Sequence, residues 1–281
     1  MKKIMQYKII VDSACNLTEN DFTEKDIGFS LAPLSIHVGS KEYLDCSSAS
    51  VSAFLEERKT TKEKIKTSCP SPSDFLKERE GATYYILITL ASRLSGAYNA
   101  ARLAKESYEH SENVLVVDSG LAAGAEELLV LEAVRLIKEN LSFGEISQKR
   151  EEKKNDIEFV FGLSSLDSLA NSGRFPKPLA LIFRKLHRKL IGTAKDGKIS
   201  VKERKHSRDG LRKARMNQIT KSGKDRKDKT RVINYTGNKN DAFTLKDRVR
   251  KCFTSLKQII VRENRLLCSF YASQDGLLLS F

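Results

Sequence analysis

Apolar residues in this chain gather in short continuous runs separated by stretches of helical spacing. Ile9-Ile10-Val11, Tyr85-Ile86-Leu87-Ile88-Thr89-Leu90, Val114-Leu115-Val116-Val117 and Phe159-Val160-Phe161-Gly162-Leu163 are rich in β-branched and aromatic side chains. Such runs suit strands buried on both faces of a sheet. Between and after them the pattern predicts helices over residues 21–25, 52–59, 73–79, 97–108 and 126–140. Strands alternating with helices in this way predict a parallel α/β sheet with right-handed crossovers. A charged helical segment at 145–154 reads as the join to a second domain. Beyond it, strands are expected at 158–163, 198–203, 231–235 and 258–262, around a basic helix from Phe243 to Leu256. Residues 179–191 carry an apolar face, 221–231 read as a solvated loop or helix end, and 266–281 are too apolar for a free tail. The expected fold class is therefore α/β with two domains. Residues 1–154 form an N-terminal α/β/α domain on a parallel sheet, and 155–281 a C-terminal α+β domain with a mixed or antiparallel sheet.

Composition narrows the class. At 281 residues, 40% hydrophobic and 31% charged, the chain resembles an ordinary soluble globular protein. No apolar run approaches membrane-span length, and the first residues lack the apolar core of a secretory signal. Five cysteines (Cys15, Cys46, Cys69, Cys252, Cys268) are odd in number and contain no CxxC. Reduced thiols in a cytoplasmic protein are expected, with no disulfide framework or zinc site. The four histidines (His37, His110, His187, His206) show no metal-ligand spacing, so neither a metal nor a cofactor is expected. The net charge of +14 is uneven: residues 1–150 carry 19 basic and 22 acidic side chains, residues 151–281 carry 31 and 14. A second half at +17 attracts polyanions: nucleic acid, anionic lipid headgroups or an acidic protein.

Three strand ends carry the candidate chemistry. Val11-Asp12-Ser13 and Val117-Asp118-Ser119 repeat one design, and Ser92-Arg93-Leu94-Ser95-Gly96 follows the strand at 85–90. Ligands of parallel sheets sit beyond the carboxyl ends of the strands, where these turns would cluster. A strand, a serine-bearing turn and a helix start aim backbone N–H groups and a hydroxyl at an anion. Gly96 permits close approach because it has no Cβ. Taken alone, Ser95-Gly96 also suits a plain connector, and Asp12 and Asp118 suit turn and cap roles better than catalytic ones. Thr67-Ser68-Cys69-Pro70-Ser71-Pro72-Ser73 reads as an extended loop with Ser73 capping the next helix.

Several segments, in the same order, resemble the DegV family of bacterial fatty-acid-binding proteins. They are Val11-Asp12-Ser13 with Asn16-Leu17, Pro33-Leu34-Ser35 with Glu42-Tyr43-Leu44-Asp45, Thr67-Ser68-Cys69-Pro70-Ser71, Ser92 through Tyr98, Val117-Asp118-Ser119, Leu166 through Arg174, and Asp196-Gly197-Lys198 with Arg204. The resemblance implies a two-domain protein holding one long-chain fatty acid in a tunnel between the domains. It implies a carboxylate held by Thr67 and Ser95, with Ser68 and Gly96 beside them. Arg174 and Arg204 match family arginines near the head group or the partner-facing surface. Phe159, Phe161, Leu166 and Leu169 are core residues first and tunnel lining second. The implied role is that of a carrier, not an enzyme, presenting its lipid to a separate fatty acid kinase subunit for acyl-phosphate formation in phospholipid metabolism.

The chain departs from the family pattern at four places. Ser172 stands for the first glycine of Gly-Gly-Arg, Lys189-Leu190 for a Lys-Pro before the next strand, Gly124-Ala125-Glu126 for a Gly-x-Gly, and Tyr271 through Gly276 for a C-terminal His-x-Gly-Pro-Gly. The last removes a head-group histidine and bears on kinase-dependent turnover. Two rival functions remain at this stage. A serine hydrolase using Ser95 lacks a G-x-S-x-G elbow and a triad motif. A nucleic-acid- or anionic-surface-binding protein would use the basic residues 184–231, yet these show no aromatic interleaving or base-reading motif.

Overall fold

The computed structural model describes residues 5–46, 49–79, 81–185, 189–205 and 229–281, and among these the side chains of 183–185, 189, 204 and 205 fall outside the description. Much of the basic stretch, residues 206–228, therefore lies outside the described residues. The chain divides into two compact units, residues 1–49 with 63–157 and residues 50–62 with 158–281.

The first unit is built on a four-stranded parallel sheet ordered β2-β1-β6-β7, from β1 (Met5–Asp12), β2 (Ile27–Ala32), β6 (Ala82–Thr89) and β7 (Val114–Asp118). The apolar runs fill its two central strands: Ile9, Ile10, Val11, Ile86, Leu87 and Ile88 are all buried. One face is covered by α2 (Pro72–Lys77) and α3 (Ala97–Glu106), whose Phe75, Ala100, Ala101 and Ala104 pack with Ile10, Tyr85 and Leu87. Helix α4 (Gly124–Lys138) lies against β6, and α5 (Phe143–Asp156) packs on α4. A separate antiparallel sheet, ordered β4-β3-β5, joins β3 (Ser35–Val38), β4 (Lys41–Leu44) and β5 (Ile65–Ser68).

The second unit carries a six-stranded mixed sheet, β10-β9-β8-β13-β11-β12. Its strands are β8 (Phe159–Leu163), β9 (Lys189–Lys195), β10 (Lys198–Lys205), β11 (Thr230–Tyr235), β12 (Gln258–Glu263) and β13 (Leu277–Ser280). The C-terminal strand β13 pairs antiparallel with both β8 and β11, which explains the apolar end of the chain. Helix α8 (Lys239–Cys252) buries Ala242, Leu245 and Val249 against Val160, Ile233 and Leu279. Helix α1 (Val51–Thr60) belongs to this unit although it precedes β5 in sequence. Arg58 of α1 donates to Phe270 O at 2.9 Å in α9 (Leu266–Ala272) and to Ser168 Oγ at 2.7 Å in α6 (Asp167–Asn171). Its guanidinium also lies 5.1 Å from the Phe270 ring centre.

Three local expectations are corrected. Residues 21–25 form no helix: Thr18 donates both its N–H and its hydroxyl to Asp21, and Asp21 N–H returns to Thr18 O at 3.0 Å, which closes a turn. The helix after the proline-bearing loop is capped by Ser71, not Ser73. Ser71 Oγ accepts from Asp74 N–H while the Asp74 carboxylate accepts from Ser71 N–H, a reciprocal box that Pro72 at the first helical position favours. Thr67 and Ser68 lie in strand β5 and Pro72 and Ser73 in α2, so only Cys69 to Ser71 of that segment lie between elements.

Two glycines separate close packing from open surface. A Cβ on Gly192 would meet Phe161 Cζ at 2.3 Å and Ser200 O at 2.4 Å. Gly144, in the first turn of α5, has nothing within 4 Å of that position. Gly192→Ala is expected to cost about 3 kcal/mol or more, and Gly144→Ala to gain roughly 0.5 kcal/mol, read as opposite shifts in the urea midpoint.

Candidate functional site

The three strand-end turns of the first sheet meet at its carboxyl edge. Asp12 is fully buried there. Its Oδ1 accepts from Ala14 N–H at 3.0 Å, closing its own turn, and its Oδ2 accepts from Leu90 N–H at 2.8 Å across the sheet. Asp118 repeats the arrangement on the other flank: Oδ1 accepts from Gly120 N–H at 2.9 Å and from Ser92 N–H at 3.1 Å. Ser13 Oγ accepts from Leu34 N–H at 3.0 Å, and Ser119 Oγ exchanges bonds with Leu121. The turn reading of both aspartates and their serines is what the geometry displays.

Ser95 is half-buried just before α3. Its hydroxyl oxygen accepts from Ala97 N–H at 3.2 Å, which leaves the hydroxyl proton for an acceptor such as a carboxylate oxygen. A Cβ on Gly96 would lie 3.1 Å from Cys69 Sγ, so the serine turn and the segment after β5 are adjacent. This closeness is the observation that brings the Thr67 and Ser95 segments together.

The strand geometry splits the residues expected beside them. In the β3–β5 pairing Thr67 stands opposite Ile36 and Ser68 opposite Ser35. Successive side chains of a strand point to opposite faces. Thr67 therefore shares a face with buried Ile36, while Ser68 shares one with Ser35 and His37. On that second face His37 Nε2 lies 3.0 Å from Ser35 Oγ and 3.0 Å from Ser68 Oγ, with Glu42 Oε1 at 3.8 Å. Sequence reasoning left His37 without a role; the alternation of Ser35 and His37 along β3 was the available signal.

The other sequence candidates lie in the second unit. Arg174 follows Gly173, whose φ of +78° closes the end of α6, and its Nη1 donates to Ser172 O at 2.8 Å. Ser172 has φ −92°, an ordinary value for an L-residue, so serine in place of glycine there carries no backbone cost. Arg204 lies in β10 opposite Leu190, with its side chain outside the described residues. Phe159 and Phe161 are buried on the same face of β8, ring centres 6.4 Å apart, on the side away from Val160. Leu166 and Leu169 are buried at the start of and within α6. In the segment that departs from His-x-Gly-Pro-Gly, Ser273 and Asp275 both have φ +61°, and Arg58 donates to Ser273 Oγ at 3.3 Å.

The residue that sequence reasoning missed most clearly is Glu126. It lies in the first turn of α4, fully buried beside Asp12. Burial, then the Asp12 charge, pushes its carboxyl well above the usual carboxylate range. Burial likewise pushes Asp12 up to about 7, against the pull of the Leu90 and Ala14 amides. Asp45 and Glu127, also buried, add negative charge nearby. No group of three or more His, Cys, Asp or Glu among the described residues is arranged to hold a metal ion.

With that geometry in place, the comparisons decide the family. The model of the uncharacterised DegV family matches residues 6–275. The chain belongs to the DegV family. A DegV domain-containing protein of Streptococcus gordonii is 30% identical over 281 residues, covering 99% of both chains. The structure is similar, with TM-score 0.92 and 29% identity over 99% of both chains, to the Streptococcus pneumoniae fatty acid kinase (Fak) B3 protein loaded with linoleic acid. A DegV family protein from Eubacterium eligens loaded with heptadecanoic acid has the same fold, with TM-score 0.90 at 24% identity over 98% of both chains. The α/β architecture with an N-terminal parallel sheet and a C-terminal mixed sheet is thus that of the DegV proteins.

The buried acids set a pH dependence. Asp12 binds its proton more tightly when folded than at its unfolded value of 3.8. Its contribution is fully present below about pH 4 and is lost as pH rises through about 7. Urea unfolding between pH 5 and 8 is expected to show stability falling by up to about 1.4 kcal/mol per pH unit and levelling above 7. Glu126→Gln, whose amide can donate to an ionised Asp12, is expected to flatten that slope.

Proposed function

We propose that this DegV protein binds a long-chain fatty acid, with the carboxylate held by Thr67 and Ser95. The observation that carries the reading is the adjacency of the serine turn to the β5 segment through Gly96 and Cys69, with the Ser95 proton left for an acceptor. The similarity to a fatty acid kinase B3 protein loaded with linoleic acid supports it. A buried carboxylate is costly without donors, and hydroxyl groups supply them without a metal. Affinity comes from the tail: at roughly 0.8 kcal/mol per buried methylene, a sixteen-carbon chain gains on the order of 10 kcal/mol before ordering costs. The hydroxyls therefore place the head group more than they retain the lipid.

On this reading the protein is a carrier that presents the carboxylate to a separate kinase subunit and does no covalent chemistry itself. Gly96 allows the close approach at the turn, and Arg174 and Arg204 serve the head group or the partner surface. Phe159, Phe161, Leu166 and Leu169 offer the apolar surface a tail needs. Ser68, bonded to His37, contributes by holding β5 in place and not by touching the lipid. The carrier works in the cytoplasm, and no helix among the described residues is long and apolar enough to cross a membrane.

We infer a second partner, an anionic lipid surface, and helix α7 (Lys177–Lys185) supports it. Leu179, Leu181 and Ile182 stand 45%, 46% and 51% exposed on it, next to exposed Lys177 and in a half of the chain that carries +17. Exposed apolar side chains beside basic ones suit an anionic lipid surface better than a nucleic-acid backbone, which rewards charge alone.

Two measurements check these readings. Lipid extracted from Ser95→Ala and Thr67→Ala proteins is expected to match wild type in amount within about threefold, while phosphorylation of the bound lipid by an added fatty acid kinase falls at least about tenfold. Loss of lipid with no change in head-group chemistry would contradict the assignment. For the surface, fatty-acid exchange is expected to be faster with liposomes containing anionic lipid than with neutral ones, and equal rates would remove that partner.

A further inference from the structure

Three consecutive amides of the serine turn leave their own strand and are tied to the strands on either side. Leu90 N–H donates to Asp12 Oδ2 at 2.8 Å, Ala91 N–H to Leu121 O at 2.8 Å, and Ser92 N–H to Asp118 Oδ1 at 3.1 Å. Ala91 O in turn accepts from Leu94 N–H at 2.8 Å and Ser95 N–H at 3.2 Å, so the residue that anchors Ser95 is itself suspended between its neighbours. Each aspartate divides its work the same way, one bond to the amide two residues ahead and one to the serine turn. The shared Val-Asp-Ser sequence is thus one device used twice, at β1 and at β7. Neither aspartate is needed for its own strand ladder, and burying Asp12 wholly among other acids is costly. That cost is tolerated where the tether it makes has a use.

We infer that Asp12 and Asp118 are positioning residues, a two-sided carboxylate clamp that fixes the Leu90–Ser92 segment and thereby aims the Ser95 hydroxyl at the lipid head group. The inference rests on the fatty-acid reading above. It assigns the aspartates no contact with the lipid: they act through backbone amides. Asp118 is half-buried and its bond to Ser92 is exposed, so it is the side of the clamp that tolerates substitution.

The test uses the full chain loaded with oleate labelled with carbon-13 at the carboxyl, and reads the bound-carboxyl resonance across pH. Ser95→Ala is expected to move the apparent pKa of the bound carboxyl upward by about half a unit or more, because a donor to the ionised form is lost. Asp118→Ala is expected to move it in the same direction, with oleate affinity within about threefold of wild type. Asp118→Asn keeps an acceptor oxygen for Ser92 and Gly120 and is expected to restore the wild-type profile. A merely structural role would lower the melting temperature and leave the resonance of the folded, loaded protein where it was. Asp118→Ser, whose oxygen is too short to reach Ser92 N–H, repeats the measurement should the alanine variant not fold. A profile unchanged in Asp118→Ala or Asp118→Ser, while Ser95→Ala shifts it, overturns the clamp and spares the fatty-acid reading. Absence of a bound-oleate resonance in wild type, or no shift in Ser95→Ala, overturns the reading and the clamp together.

Discussion

At the carboxyl edge of a parallel sheet the ladder stops, and the next backbone N–H groups need partners. In the first unit those partners are carboxylates. Asp12 and Asp118 bond Leu90 and Ser92 across the sheet, and Leu121 O takes Ala91 between them. Leu90 and Ala91 are buried, and their amides left unpaired would each cost of the order of a lost hydrogen bond, so the arrangement both completes the sheet and fixes the turn that bears Ser95. The cost appears at Asp12, which is held away from water beside Glu126 and near Asp45. A neutral Glu126 removes the charge repulsion that an ionised pair would suffer.

The second unit is governed by packing. Its sheet closes on the C-terminal strand β13, inserted between β8 and β11, and Gly192 makes room for Phe161. Arg231, almost wholly buried, lies 4.2 Å from the ring centre of Phe253 and 4.8 Å from that of Phe281, so its flat guanidinium is accommodated between aromatic faces. Helix α1 is held by Arg58 through the Phe270 carbonyl and the hydroxyls of Ser168 and Ser273. These bonds settle the segment that departs from the family's histidine-bearing pattern into a turn with positive φ at Ser273 and Asp275.

The chemistry of the site follows from strand alternation and one missing methyl group. Thr67 and Ser68 are neighbours in sequence and point to opposite faces of β5. Ser68 is taken by His37, whereas Thr67 lies on the Ile36 side. Gly96 meets Cys69 at a distance that a larger residue would contest. The Ser95 hydroxyl oxygen already accepts from the first amide of its own helix, which leaves its proton to be donated.

Much of this was legible in the chain itself. The apolar runs at 9–11 and 85–90 marked the central strands because a strand buried on both faces must be apolar throughout, and the run at 114–117 marked the edge strand β7, which is only partly buried. The serine turn, the repeated Val-Asp-Ser and the ordered motifs pointed to the DegV family. What the chain alone left undecided was everything that depends on residues distant in sequence. Residues 21–25 carry helix-compatible composition, but Asp21 is drawn into a local turn by its bonds with Thr18. The cap of α2 went to Ser71 because Asp74 could reciprocate. The β3–β5 pairing separated Ser68 from Thr67, and the fold placed Glu126, to which the helix pattern assigned no role, beside Asp12. Periodicity reports which face of an element is buried; only the tertiary structure decides which side chains share that burial, and there the proton on a carboxyl and the aim of a hydroxyl are determined.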